Sequence, residues 1–288
     1  MPLSTAIVGE ATEPFSHHVD ARWIMAYAAG LGDLNPRMMD TANHAPVTAH
    51  PLFPVCLEWP VVLAAARLPG SETATMEERA RGVHAAHDLH LHRPIRAGET
   101  LVTTARVVGL EMRKPGAAQM TLLETRDERG EPVCTTWQLG ITRGVEIAGE
   151  PRWTANPPAL PTDEGTTATD LSLPLNVFPG MAQIYTECAR IWNPIHSDRA
   201  YAIAAGLPDI ILHGTATLAL AVSGIVNSCI GGDVARVRRI GGRFSAMVPV
   251  PDTLTLDITR RGPDSVRFRV RNGQGQDAIT QGFLVWQA

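Results

Sequence analysis

No stretch of this 288-residue chain stays apolar over the roughly 20 residues that a bilayer-spanning helix needs, so no membrane contact is expected. The amino terminus, MPLSTAIVGEATEPF, lacks the basic start and apolar core of a secretory signal. An excess of one charge is missing too. Twenty-five Lys and Arg stand against 29 Asp and Glu, a net −4, which gives no electrostatic reason to expect nucleic acid as a partner. Cysteine is sparse: Cys56, Cys134, Cys188 and Cys229 are far apart and form no C-x-x-C pair, which argues against a zinc knuckle or a dithiol redox motif. Free thiols of this kind suit a reducing compartment, so a cytoplasmic location is expected. What is present is ordinary globular material, 44% hydrophobic and 19% charged, at a length suited to one large domain or two of usual size.

The chain repeats itself. Tyr27 to Asp40 reads YAAGLGDLNPRMMD and Tyr185 to Asp198 reads YTECARIWNPIHSD, aligning without a gap at Tyr27/Tyr185, Asn35-Pro36/Asn193-Pro194 and Asp40/Asp198. HLHRPIRAGETLVTTARVV in the first half is echoed by RFSAMVPVPDTLTLDITRR in the second. Between the copies, residues 146–170 are rich in Pro, Gly, Thr and charge and read as a linker, leaving domains at 1–145 and 171–288. In each half an amphipathic helix (ARWIMAYAAGLG in the first) leads into an Asn-Pro loop. HGTATLALAVSGIVNS has helical length, no proline and enough apolar residues for burial on most sides. The following runs alternate with period two: Val266, Phe268 and Val270 face one way and Arg267, Arg269 and Arg271 the other. A long buried helix wrapped by an antiparallel sheet is an α+β unit. Two such units can join their sheets edge to edge and so hide two exposed edges.

Asn193-Pro194-Ile195-His196, followed seventeen residues after His196 by His213-Gly214, carries the chemistry. Pro194 fixes its own φ and biases Asn193 to an extended geometry, a rigid turn presenting Asn193 and His196. A neutral imidazole moves protons near neutral pH. Gly214 opens the apolar helix, so its N–H has no intrahelical partner, a ligand oxygen can approach closely, and the helix dipole favours negative charge there. A base beside such an amide suits enolate-forming chemistry on a thioester.

NPIHSDRAYAIAAGLPDIILHG resembles the signature of the MaoC-like dehydratases, the group containing (R)-specific enoyl-CoA hydratases: a Tyr, then Gly-Asp-x-Asn-Pro-x-His, then His-Gly opening a central helix. The resemblance implies a double hotdog fold, each unit a central helix wrapped by antiparallel sheet. It also implies reversible hydration of an enoyl thioester to a (3R)-hydroxyacyl thioester. His196 would be the acid/base, Asn193 the orienting group and Gly214 the oxyanion donor, with Tyr185 and His213 as further substrate contacts. No cofactor is implied, coenzyme A being part of the substrate, and such chains commonly pair as homodimers. The first half would accommodate the acyl tail.

The family's Asp does not carry over, because Ile191 holds its place and Arg190 that of the preceding Gly. The first half has the reverse deficit: Gly32-Asp33 are kept, but Met38 replaces the His and Pro51, without an N–H, follows His50. Glu187 or Asp33 would have to supply a carboxylate, or His196 works alone, or the site binds acyl-CoA without turnover as a partner subunit. A hotdog thioesterase is a further alternative. His84, His87, His90 and His92 would offer metal ligands if His84 and His87 shared a helix face, but the alternation of Leu89 and Leu91 with His90 and His92 reads as a half-buried strand, and no metal is expected. Arg236, Arg238, Arg239 and Arg243 either pair with coenzyme A phosphates or form a solvated run.

Overall fold

The computed structural model describes residues 2–71, 75, 77–78, 81–161, 168–260 and 262–288. The first half runs through β1 (Leu3–Ser4), β2 (Phe15–Val19), α1 (Ala21–Gly30), α2 (Pro36–Met39) and α3 (Pro54–Ala65). The long strands β3 (Gly82–Leu91), β4 (Glu99–Arg113), β5 (Gly116–Asp127) and β6 (Pro132–Arg143) follow, then the short β7 (Ile147–Ala148) and β8 (Arg152–Trp153). The second half repeats the plan: β9 (Leu171–Val177), α4 (Met181–Ala189), α5 (Arg199–Ala204) and α6 (Gly214–Cys229) precede β10 (Val237–Phe244), β11 (Asp252–Arg260), β12 (Ser265–Arg271) and β13 (Asp277–Trp286).

Local chemistry sets these elements. The Asp20 carboxylate accepts the Trp23 N–H at 2.7 Å and starts α1, which buries Trp23, Ile24 and Tyr27. Helix α6 is buried almost all round, from Ala216 through Val226 with Gly224 turned to Leu256. Each fully buried Leu, Ile or Val there contributes about 1.5–3 kcal/mol. On β12, Val266, Phe268 and Val270 are buried while the arginines between them face outward.

The sheet order is β2-β4-β5-β6-β3-β10-β13-β12-β11-β9, so the second half mirrors the first across the β3–β10 seam. That seam pairs Arg239 with His90, Ile240 with Leu89 and Gly242 with His87. Arg239 grips Asp88 bidentately at 2.9 and 2.7 Å and also donates to the Ala159 carbonyl. Tyr27 and Tyr185, aligned in the repeat, meet at the pseudo-twofold axis with hydroxyls 3.3 Å apart.

The segment 146–170 is more strand-paired than its composition suggests. Ile147–Ala148 pair with β1 and Arg152–Trp153 with β4, where Trp153 lies so close over Gly109 that a Cβ there would come within 2.3 Å of its ring. Residues 162–167 of that segment lie outside the described residues.

Candidate active site

Helix α4 ends at Arg190, whose φ of 57° is left-handed, and the repeat-equivalent Gly32 also has positive φ, 71°. An arginine in that conformation is strained by about 1 kcal/mol or more. It is held by the first half: the Arg190 guanidinium sits 3.8 Å over the Trp23 ring, and Trp23 Nε1 donates to the Cys188 carbonyl at 3.1 Å. The chain then turns Ile191 inward, 6% exposed, into the core. The Asn193 side chain caps the short 3₁₀ turn Pro194–His196 by accepting from the Ile195 N–H.

That turn buries His196. Its Nδ1 faces the Ile211 carbonyl at 2.8 Å and must donate there, which leaves the Nε2 lone pair free as a base. The imidazole stacks on His213 at 3.7 Å between centroids. Burial pushes the His196 pKa down to about 4, opposed by the Ile211 carbonyl. His213 is likewise held well below the ordinary histidine value, by burial first and then by His196. Its Nε2 lies 3.4 Å from both the Ile191 carbonyl and Thr186 Oγ1, while its Nδ1 is buried without a partner among the described residues.

The next residue, Gly214, opens α6, and a Cβ on it would lie 3.0 Å from the Phe244 ring. The Tyr185 hydroxyl donates to Thr215 Oγ1 at 3.2 Å, and its ring packs 5.0 Å from His213. His196, His213, Asn193, Tyr185 and Gly214 therefore gather around the start of α6.

Neither carboxylate suggested by the sequence joins them. Glu187 is exposed on α4 and accepts from Trp192 Nε1. Asp33 is buried in the first half, where it accepts the Asn35 N–H and its charge acts on His50. Among the described residues no carboxylate acts on His196. Asp33 instead lines a cleft of about 490 Å³ with Asn35 of its own half and with Ser223 and Asn227 of the second. In the first half Met38 is buried, and His50 Nδ1 is occupied by the Leu52 N–H.

The four-arginine cluster does not act as a unit. Arg236 and Arg238 hold the penultimate residue Gln287 and Arg239 locks the seam, so only Arg243, exposed and with no side-chain hydrogen bond or ion pair among the described residues, stays available. The helix supposed for His84 and His87 is also not there. Both lie in β3, which is paired on one side with β6 and on the other with β10.

A family model for the MaoC like domain matches residues 163–282, and one for the FAS1-like dehydratase domain region matches residues 6–136. The second half of the chain is thus similar to a MaoC-like domain, and the first half to a dehydratase region. Its sequence is similar to Enoyl-CoA hydratase 2, peroxisomal, of Arabidopsis thaliana, 30% identical over 62% of this chain and 60% of that protein. The match thus spans less than two thirds of that relative's length. It is 26% identical to 3-hydroxyacyl-thioester dehydratase Y of Mycobacterium tuberculosis over 96% of this chain and 95% of that one. In structure it resembles a MaoC-like dehydratase from Phytophthora capsici, with a TM-score of 0.85 at 21% identity over 98% and 96% of the two chains. The MaoC-like chain is accordingly a double hotdog, with the motif histidine in the second unit and the motif aspartate in the first.

The repeat alignment signals the exchange of Gly for Arg at position 190, but not its Trp23 support. The stacking of His213 on His196 had no sequence signal, since the two are linked only through the fold.

Proposed function

We propose that this MaoC-like protein adds water to a trans-2-enoyl thioester, or removes it from the (3R)-hydroxyacyl thioester, with coenzyme A as the carrier. The observation that carries the reading is the His196 tautomer: Nδ1–H is tied to the Ile211 carbonyl, so Nε2 is a base beside the start of α6. In hydration, Nε2 takes a proton from water as its oxygen bonds to C3. The electron pair moves to the thioester oxygen, where the Gly214 N–H and the helix dipole stabilise the enolate. The imidazolium then returns the proton to C2. One group on one face serving both steps gives syn addition, so the mechanism needs no carboxylate. Asn193 orients the turn, Tyr185 and His213 fix the imidazole, and Arg243 meets the phosphates of the carrier.

We assign no metal or redox cofactor to the reaction, infer a homodimer from the habit of this fold, and favour the cytoplasm on the four free cysteines. Ile191 favours one rival, a site that binds acyl-CoA without turnover. Crotonyl-CoA and longer enoyl-CoAs, followed in the ultraviolet with free thiol measured in parallel, separate these. Loss of enoyl absorbance without thiol release supports the hydratase, thiol release means a thioesterase, and binding without change means the rival.

A further inference from the structure

The helix-facing surface of the first sheet is polar where it approaches the thioester end of the site. Thr136 on β6 marks that surface, because its hydroxyl donates to Glu58 on α3 at 2.5 Å. Gln138, two residues on, faces the same way, and the register sets it beside His87 of β3 and Thr121 of β5. A bulge between His84 and Ala86 turns His84 to this surface as well, where its ring lies 5.3 Å from that of His87. His84 in turn packs 4.8 Å from Phe244, the ring against Gly214. A chain of ring contacts therefore runs from the amide that would hold the thioester oxygen to His87.

His87 is 2% exposed, and both of its ring nitrogens are buried without a partner among the described residues. Buried polar atoms are nearly always bonded, so a histidine in this state calls for a hydrogen-bonding guest. Burial keeps His84 and His87 neutral, lowering them to about 4 and about 3, and no guanidinium or ammonium is among the charges acting on either. Glu58, the nearby acid, is raised to about 7 by burial. A carboxylate guest would meet no cation here.

We propose that His87 and Gln138, flanked by His84 whose Nε2 is held by the Ala86 carbonyl at 3.1 Å, bind a neutral oxygen function, a hydroxyl or ketone, on the acyl chain of the substrate, so that the protein selects oxygenated acyl groups over plain alkyl and dicarboxylic ones. This deepens the hydratase reading and rests on Gly214 as the thioester anchor. The test is calorimetric titration with three saturated, unreactive thioesters: decanoyl-CoA, 10-hydroxydecanoyl-CoA and the mono-CoA ester of decanedioic acid. The hydroxylated ester should bind at least fivefold tighter than the alkyl one, with the dicarboxylic ester weakest. His87→Leu and Gln138→Leu should each abolish that order, and ligand-free His87→Leu should melt higher than wild type because it removes an unpaired buried group. Equal binding of alkyl and hydroxyl esters, or variants that weaken all three alike, would overturn the inference and leave only water as the guest. Selective binding without turnover of the matching enoyl esters would sink the hydratase reading while the selectivity stood. No binding of any ester would sink both.

Discussion

Replacing Ile191 with aspartate restores a carboxylate to the loop that leads into His196, and its consequences can be worked from the geometry. Ile191 is 6% exposed, so the change removes a buried side chain worth about 1.5–3 kcal/mol, to which the desolvation of a carboxylate adds. The Ile191 carbonyl is 3.4 Å from His213 Nε2, and His213 stacks at 3.7 Å on His196, so the new charge arises next to the imidazole pair. A carboxylate at about 4–6 Å raises a histidine by about 1–3 pKa units. From about 4, that brings His196 close to neutrality, where a general base works best. The assay is kcat/KM for an enoyl-CoA against pH, with thermal melting alongside. The acid limb should move up by about 1–3 units and the rate at neutral pH should rise by about tenfold, while the melting temperature falls. Ile191→Asn, neutral and of similar shape, should destabilise without moving the limb. If the two variants behave alike, the absent carboxylate is not what sets the basicity of His196.

His196→Ala should reduce kcat by about 10²- to 10⁴-fold with the melting curve nearly unchanged, and retention of full activity would dismiss it as the base. Stability should fall in acid. His50, His84 and His196 are lowered to about 4 and His87 to about 3, so below the ordinary 6.5 the unfolded chain takes up protons that the folded one refuses. Their support is complete above pH 6.5 and is lost toward pH 4, at about 1.4 kcal/mol per pH unit for each. Glu58, raised to about 7, has the opposite sign, stabilising below its ordinary 4.5 and losing that support as pH rises through about 7. One acid against these four histidines and His213, which burial also lowers, leaves the urea midpoint climbing between pH 5 and 6.5, and a flat midpoint would contradict this. Trp23→Ala should cost about 3–5 kcal/mol in denaturant melts and also lower activity, since it releases the left-handed Arg190. Gly214→Ala should impair turnover through collision with Phe244, and Phe244→Ala in the same chain should relieve the collision.

Much of the fold was legible because it rests on periodicity. The proline-free, mostly apolar run after His213 has the length of a buried helix, and the alternation of Val266, Phe268 and Val270 is that of a half-buried strand. Repeat alignment gave the paired units and marked Ile191 and Arg190 as departures. What stayed hidden depends on contacts between distant segments. No local pattern says that Arg239 answers Asp88 across the seam, that Trp23 supports Arg190, or that a bulge turns His84 toward the helices. The histidine run suggested a metal site under a helical spacing, and β3 takes its conformation from ladder bonds to neighbours on both sides. Asp33 is beside His50 and not His196 because each Asn-Pro loop serves its own unit.

The hydroxyl contact between Tyr27 and Tyr185 has an evolutionary reading. Aligned positions that touch across a twofold axis are what one residue meeting its own copy becomes when two subunits are fused into a single chain. In a symmetric homodimer every substitution is made twice, so neither site can shed its aspartate or histidine alone. Fusion lifts that constraint. One copy here has kept Asp33 with Met38, the other His196 with Ile191, and each was free to lose what the other retained.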